Sequence, residues 1–257
     1  MKQEISKELN LAIKAARKAG AFLRKKEDVR VDSMIGKDIK LSSDKMSEKI
    51  ILDILVETGI PVLSEECGLQ DGSVDTENER CWIVDPLDGT MNYYRGLDDL
   101  ACVSIALWEK DKPVLGVVYR FMPEELYFGE IGMGAYMNDR ELQPSATEHI
   151  DQAVLATGFP VKRTYDEESL KPYIKRTQLF KKVRMLGAAA IMATYVPCGK
   201  IDVYEEDGIM LWDIAGAVAI ANAAGCSYRI ERQNDFKVHC LVYANHKLME
   251  DYDAQSL

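Results

Sequence analysis

A layered protein of mixed α and β structure is the fold class that the sequence predicts. Three observations carry it. Apolar residues recur at helical spacing in several segments, with charged residues between them. Short β-rich runs bounded by turn residues separate those segments. The two kinds alternate in both halves of the 257 residues, the pattern of helices packed in layers on sheets.

Taken in order, Ile5, Leu9, Ile13, Ala16 and Ala19 mark an amphipathic helix that ends near Gly20 or slightly beyond. A second helix covers Asp44 to Glu57, with Ile50, Ile51, Ile54 and Leu55 as its stripe and Thr58-Gly59 as its end. Pro61 to Ser64 is a short strand leading into Glu65-Glu66, and Gln70 to Arg80 is a polar loop. Cys81 to Val84 is a strand that runs into two aspartates and a glycine. Ala101–Trp108, Pro113–Arg120 and Glu125–Gly129 read as antiparallel strands, turned at Glu109–Lys112 and Pro123-Glu124. The polar stretch Asn138 to Ile150 divides an N-terminal half, 1–145, from a C-terminal half, 146–257. Beyond it come strands at Ala153–Thr157, Val183–Leu186, Ile201–Glu205 and Leu241–Ala244. Helices at Glu167–Phe180, Gly187–Pro197 and Asp213–Ala224 fall between them, the last stopped by Gly225.

Composition narrows the function. The net charge is -10, which disfavours a nucleic-acid polymer as partner. Six cysteines show no C-x-x-C pair and read as reduced residues packed as small hydrophobes. The charged N-terminus has no secretory h-region and no run suits a membrane span, so a soluble cytoplasmic protein is expected.

The chemistry concentrates in Trp82 to Asn92, WIVDPLDGTMN. A strand delivers Asp85, Pro86 fixes the next backbone angle, and Asp88 returns three residues later before the turn at Gly89. Two carboxylates and the Leu87 carbonyl around one point suit a hard divalent cation. The same residues also make an ordinary surface turn. Asp213 and Asp44 also suit helix N-caps, and Glu65-Glu66 a solvated loop. As a set, acids at strand ends and helix starts beside glycine turns fit a polynuclear metal site better.

These residues resemble the inositol monophosphatase superfamily of magnesium-dependent, lithium-sensitive phosphatases. WIVDPLDGTMN matches one signature, WDIAGAVAIANAAG from Trp212 to Gly225 a second, and Ser64-Glu65-Glu66 and Asp44 fall in the expected order. The resemblance implies a layered αβαβα sandwich, a homodimer, and two or three Mg²⁺ ions per site. It implies Glu65, Asp85, Asp88, Asp213 and the Leu87 carbonyl as metal ligands. It implies Asp44 and Thr90, with Glu65, as the groups that activate the attacking water, and Gly89 and Thr90 as amides that cradle the phosphate.

It also implies a substrate wall at Gly187, Ala188 and Ala189, beside Asp88, and a hydroxyl acceptor in Glu206. A carboxylate accepts from two hydroxyls at once, which favours inositol monophosphate or a similar sugar or polyol phosphate. Glu206 also reads as one acid of an exposed run. Three departures stand out: Ala188 where Ser or Thr is usual, Lys40-Leu41 before Asp44, and a longer Tyr94–Asp99 without the usual proline. A 3′(2′),5′-bisphosphate nucleotidase is the alternative within the superfamily. A non-catalytic binding or regulatory protein on the same scaffold is the alternative outside it.

Overall fold

The structure is a computed structural model that describes residues 5–27, 29–35, 38–69, 79–159, 166–234 and 236–256. The loop expected from Gln70 lies, as far as residue 78, outside the described residues.

Helix α1 (Lys7–Leu23) opens on Ser6, whose hydroxyl accepts from the Leu9 amide at 3.0 Å. Its face Leu9, Ala12, Ala16, Ala19 and Leu23 is fully buried. A hairpin of β1 (Val31–Ile35) and β2 (Asp38–Leu41) leads into α2 (Ser42–Leu55). Gly59 then takes the left-handed conformation, φ 65°, that ends this helical stretch.

Next come β3 (Val62–Ser64), β4 (Gly68–Leu69), β5 (Arg80–Asp88), a short α3 (Thr90–Tyr94), β6 (Cys102–Glu109), β7 (Lys112–Arg120), β8 (Glu125–Glu130), β9 (Gly134–Met137) and β10 (Arg140–Glu141). They form an eight-stranded sheet in the order β10-β9-β8-β7-β6-β5-β3-β4. Among the described residues, only β3 and β5 pair in parallel there. Lys110 and Asp111 both adopt positive φ, the backbone of a tight two-residue hairpin.

The second half supplies β11 (Val154–Thr157), α4 (Glu167–Thr177), β12 (Lys182–Arg184), α5 (Ala189–Thr194), β13 (Val203–Met210), α6 (Leu211–Ala223), β14 (Ser227–Arg232), β15 (Lys237–Tyr243) and α7 (His246–Ser256). Its five-stranded sheet runs β12-β11-β13-β15-β14.

The layers follow from which side chains face which way. On β5, Trp82 and Val84 pack with the α1 and α2 residues, while Cys81 and Ile83 pack on the other face with α5 and α6. Both faces are buried, which explains the continuous apolar run of a central strand. Each large side chain buried this way contributes about 1.5–3 kcal/mol. Helix α6 lies between the sheets, and its Gly216 meets Gly116 of β7 without side chains between them. A Cβ on Gly116 would stand 2.2 Å from the Gly216 carbonyl oxygen. The order is α1/α2, large sheet, α5/α6, small sheet, α4/α7, an αβαβα sandwich. No described helix is long and apolar enough to cross a membrane.

The expected elements form with shifted ends, and several others appear. The strand expected at Cys81 to Val84 runs further, since β5 continues through Asp88 by a bulge. Asp85 pairs with Ser104 and Asp88 with Cys102, so three steps on β5 face two on β6. Pro86, which has no N–H to give a ladder, sits in that bulge. The strand expected at 201–205 likewise runs on to Met210 through a second bulge at Gly208, φ 79°.

Candidate metal-binding site

A turn, a strand bulge and a helix bring three acids to one point. Glu65 comes from the turn after β3, Asp85 from the β5 bulge and Asp213 from α6. One carboxylate oxygen of each lies within 4.8 Å of the others. These three come from positions 20 and 128 residues apart in the chain, so only the tertiary fold unites them.

Asp85 is buried, and its Oδ1 accepts from the Leu87 amide at 3.0 Å. Burial first, and then the neighbouring charges of Glu65, Asp88 and Asp213, push its pKa well above the usual carboxylate range. Asp213 is raised in the same way by burial and then by Glu65, Asp88 and Glu206. Its carboxylate also accepts from the Met210 amide at 3.3 Å.

Asp88 stands beside the three with its oxygens turned to the start of α5. It accepts from the amides of Ala189 at 3.2 Å and Ala190 at 2.8 Å, and from the Cys102 thiol at 3.6 Å. Burial raises it to about 6, and those amides hold it lower than burial alone would. The Leu87 carbonyl accepts the Thr90 hydroxyl at 2.9 Å. The Thr90 proton therefore goes to Leu87 and not to Asp44.

Asp44 is 3% exposed and sits at the third position of α2, where its Oδ2 accepts from the Leu41 amide at 2.5 Å. Its Oδ1 is buried with no hydrogen-bond partner among the described residues. Burial, reinforced by Glu65 and Glu66 against the Leu41 hydrogen bond, raises it to about 8. The N-cap alternative for Asp44 and Asp213 is thereby corrected. Their helices begin earlier, at Ser42 and Leu211, and each acid reaches back from the third position to the cap amide.

Gly89, φ 82°, turns the chain from β5 into α3, and a Cβ there would stand 2.5 Å from the Leu100 carbonyl and 3.2 Å from the Ala188 Cβ. Ala188 and Ala189 are buried, and Gly187 has φ 72°. Glu206 is also buried, at 6% exposure, which corrects its reading as part of an exposed acidic run. It accepts from the Tyr204 hydroxyl at 3.1 Å. Burial raises it to about 7, the Tyr204 hydroxyl opposes this and Asp88 adds to it.

Four supporting residues escape the sequence reading. The Ser47 hydroxyl donates to the Pro86 carbonyl at 2.7 Å and pins the bulge. Glu48 accepts from the Ser64 hydroxyl and from the Cys67 amide at 3.1 Å, which fixes the turn carrying Glu65. Asn92 donates to the carbonyls of Leu186 at 2.8 Å and Leu100 at 2.9 Å. Cys102 is the fourth. Ser47 and Glu48 are three and four residues after Asp44, on the same helix face, a spacing that was there to find.

Burial first, and then the mutual repulsion of carboxylates this close, holds these groups above the usual carboxylate range. Oxygen-only donors and an unpartnered Asp44 oxygen fit hard divalent cations.

The family model described as the inositol monophosphatase family matches residues 4–256. An inositol-1-monophosphatase of Synechocystis sp. is 37% identical over 225 residues, 84% of this chain and 76% of that protein. The Nus factor SuhB of Escherichia coli (strain K12) is 33% identical over 84% of this chain and 82% of its own length. Among solved structures, inositol monophosphatase from Anabaena (Nostoc) sp. superposes with a TM-score of 0.82 at 30% identity, covering 96% of this chain and 94% of that one. The extragenic suppressor protein suhB from Bartonella henselae gives 0.83 at 31%, covering 97% and 98%. With its metal-fitting acids set in that shared αβαβα frame, this chain belongs to the inositol monophosphatase family.

Proposed function

We propose that the chain is a Mg²⁺-dependent phosphomonoesterase that hydrolyses inositol monophosphate or a similar sugar or polyol phosphate with water as the nucleophile. The observation that carries this reading is the convergence of Glu65, Asp85 and Asp213 on one point, within 4.8 Å. Glu65, Asp85, Asp88, Asp213 and the Leu87 carbonyl would hold two or three ions. Bound divalent cations supply Lewis acidity and the positive charge that an anionic ester requires.

The chain's own groups do the rest. Asp44 accepts a proton from the attacking water, a role supported by its buried Oδ1, which has no hydrogen-bond partner among the described residues. The Gly89 and Thr90 amides orient the phosphate. Glu206 accepts hydrogen bonds from hydroxyls of the alcohol, and its buried position beside Asp88 repels a second phosphate. Arg184 and Lys200 supply no basic cluster there: the first donates to the Val183 carbonyl, and the second lies over the Tyr195 ring at 4.6 Å. This disfavours the bisphosphate nucleotidase alternative. Phosphate release with Mg²⁺ tests the reading; no release from a broad panel of monoesters refutes it.

A second reading rests on the relatives named Nus factor SuhB. In it the scaffold serves as a binding protein, alone or alongside catalysis. A partner captured equally by wild type and by an Asp85→Asn variant that releases no phosphate supports it.

A further inference from the structure

Residues 94–100 follow the turn at Gly89 and α3, and they hold no proline to fix their backbone. None of their side chains is buried, so apolar packing does not set the path of this loop. Its end nevertheless sits against the site. The Leu100 carbonyl faces Gly89, where a Cβ would stand 2.5 Å from it. The same carbonyl accepts from the Asn92 side chain at 2.9 Å, and Asn92 also donates to the Leu186 carbonyl at 2.8 Å, next to Gly187. A displaced Leu100 carbonyl would therefore disturb the turn at Gly89 and, through Asn92, the wall at Gly187.

The polar anchor of this loop is Arg120, the last residue of β7, which is 8% exposed. Its Nε at 3.1 Å and its Nη2 at 2.6 Å both donate to the Asp99 carbonyl, one residue before Leu100. Its Nη1 pairs with Glu125, which also accepts from the Tyr127 hydroxyl at 2.5 Å. The guanidinium lies over the Tyr195 ring at 5.6 Å. Lys26 holds the Asp98 carboxylate at 2.6 Å, so the loop is tied on two sides. Glu125 and the Tyr195 ring compensate the buried charge, and the two donors on Asp99 are the part of Arg120 that reaches toward the site. A planar fork can do both at once. A lysine ammonium can pair with Glu125 but presents no second parallel N–H to a carbonyl.

We infer that Arg120 is a positioning residue: through the Asp99 carbonyl it fixes the Leu100 carbonyl, and through that the Gly89 and Thr90 amides that orient the phosphate. This inference rests on the phosphomonoesterase reading above.

The test sets Arg120→Lys beside Glu125→Gln. Arg120→Lys keeps the charge beside Glu125 and gives up the fork. Glu125→Gln weakens the ion pair and leaves the fork on Asp99. In the Mg²⁺-loaded protein, Arg120→Lys should lower kcat/KM for inositol 1-phosphate by about tenfold, since a small misplacement of orienting groups is costly. Its Mg²⁺ affinity should stay within about twofold of wild type, because the loop touches none of Glu65, Asp85 and Asp213. Hydrogen exchange should quicken at the amides of residues 97–101 and of the turn 89–92. Glu125→Gln should lower the Tm and keep kcat/KM within about twofold. Equal losses of kcat/KM in the two variants would mean that Arg120 only supports the fold, and would overturn the inference. So would an Arg120→Lys protein with unchanged kcat/KM, or one whose Mg²⁺ affinity falls as far as its kcat/KM. Should Arg120→Lys not fold, the double variant Arg120→Gln with Glu125→Gln, which removes both buried charges together, takes its place against the same Glu125→Gln control. If wild type hydrolyses no ester, the phosphomonoesterase reading fails instead, and hydrogen exchange decides the positioning. Quickened exchange at 89–92 in Arg120→Lys but not in Glu125→Gln supports it, and unchanged exchange there overturns it.

Discussion

Neutralising Asp85 should stabilise the metal-free protein while it destroys the proposed activity. The carboxylate oxygens of Glu65, Asp85 and Asp213 lie within 4.8 Å of one another. At an effective dielectric of about 20, each ionised pair at that separation costs about 3.5 kcal/mol, or about 10 kcal/mol for three pairs. That rivals the whole stability of a typical domain, so the metal-free protein protonates part of the cluster instead. Asp85→Asn leaves one charged pair of the three. Because protonation has already relieved part of the repulsion, a gain of about 2–3 kcal/mol is expected near pH 8, about 5–10 °C in Tm for a chain of this size. The sign with pH follows from the direction of the shifts. Asp85 and Asp213 are raised well above 3.8 and Asp44 to about 8. A folded-state pKa raised above the unfolded one gives stability that is full at low pH and is lost as pH rises through the folded value. Metal-free wild type should therefore lose stability from about pH 4 to about pH 8, and the variant should lose less. Mg²⁺ should raise the wild-type Tm more at about pH 8 than at about pH 5.5, with protons released on binding. Thermal melts with and without chelator, and calorimetry in buffers of different ionisation enthalpy, measure both effects. A lower metal-free Tm for Asp85→Asn at pH 8, or a Mg²⁺ effect independent of pH, would refute the reasoning.

Asp88→Asn should reduce phosphate release by about a hundredfold or more, the scale for losing one charged group that acts on the transition state, as single-turnover assays would show. Glu206→Ala should raise KM for inositol 1-phosphate by roughly tenfold and leave glycerol 2-phosphate less affected; equal effects on both would remove Glu206 from hydroxyl recognition. Gly116→Ala should cost about 1–3 kcal/mol or more in urea melts, because its Cβ would stand 2.2 Å from the Gly216 carbonyl; an unchanged midpoint would mean that α6 shifts freely. Li⁺ should inhibit phosphate release in competition with Mg²⁺, and an inhibition that added Mg²⁺ leaves untouched would locate the lithium effect elsewhere.

What the sequence reveals here depends on how local the cause is. Helices α1 and α6 are legible because capping and burial are written in neighbouring residues, Ser6 and Leu9 in one and the run of alanines in the other. The hairpin of β1 and β2 is not, since the apolar residues Val31, Met34, Ile35, Ile39 and Leu41 follow neither the strand nor the helix period. Strand β14, Ser227–Arg232, alternates weakly, and it forms because β15 offers an edge. The metal-fitting acids are legible as types at strand ends, while the 4.8 Å convergence needs the whole fold. Glu205 and Glu206 show the limit most plainly. They are adjacent, both buried and chemically alike, yet alternation along β13 gives one to Arg176, His239 and Tyr252 and turns the other toward Asp88. No local pattern decides which acid is structural and which faces the site.

The placement of Asp44 and Asp213 explains how such a repulsive cluster stays ordered. Each occupies the third position of its helix and gives an oxygen to the amide at the cap, from Leu41 in one case and from Met210 in the other. The helix N-terminus carries partial positive charge, so part of each negative charge is offset before any cation arrives. One oxygen is fixed by the helix and the other is left for the site, which sets the carboxylate plane without a second side chain. Asp88 follows the same logic at α5, where the Ala189 and Ala190 amides hold it. Only Asp85 is placed by a strand bulge, with one oxygen on the Leu87 amide and the bulge itself pinned by Ser47. Ser47→Ala should then leave the helix-held acids in place and free the Pro86 carbonyl. It should weaken Mg²⁺ binding several-fold, as loss of an outer-shell partner does, with less than about 1.5 kcal/mol lost in stability. Mg²⁺ affinity measured by calorimetry beside the Tm tests this, and a variant that loses stability without losing affinity would show that the bulge is held by the sheet alone.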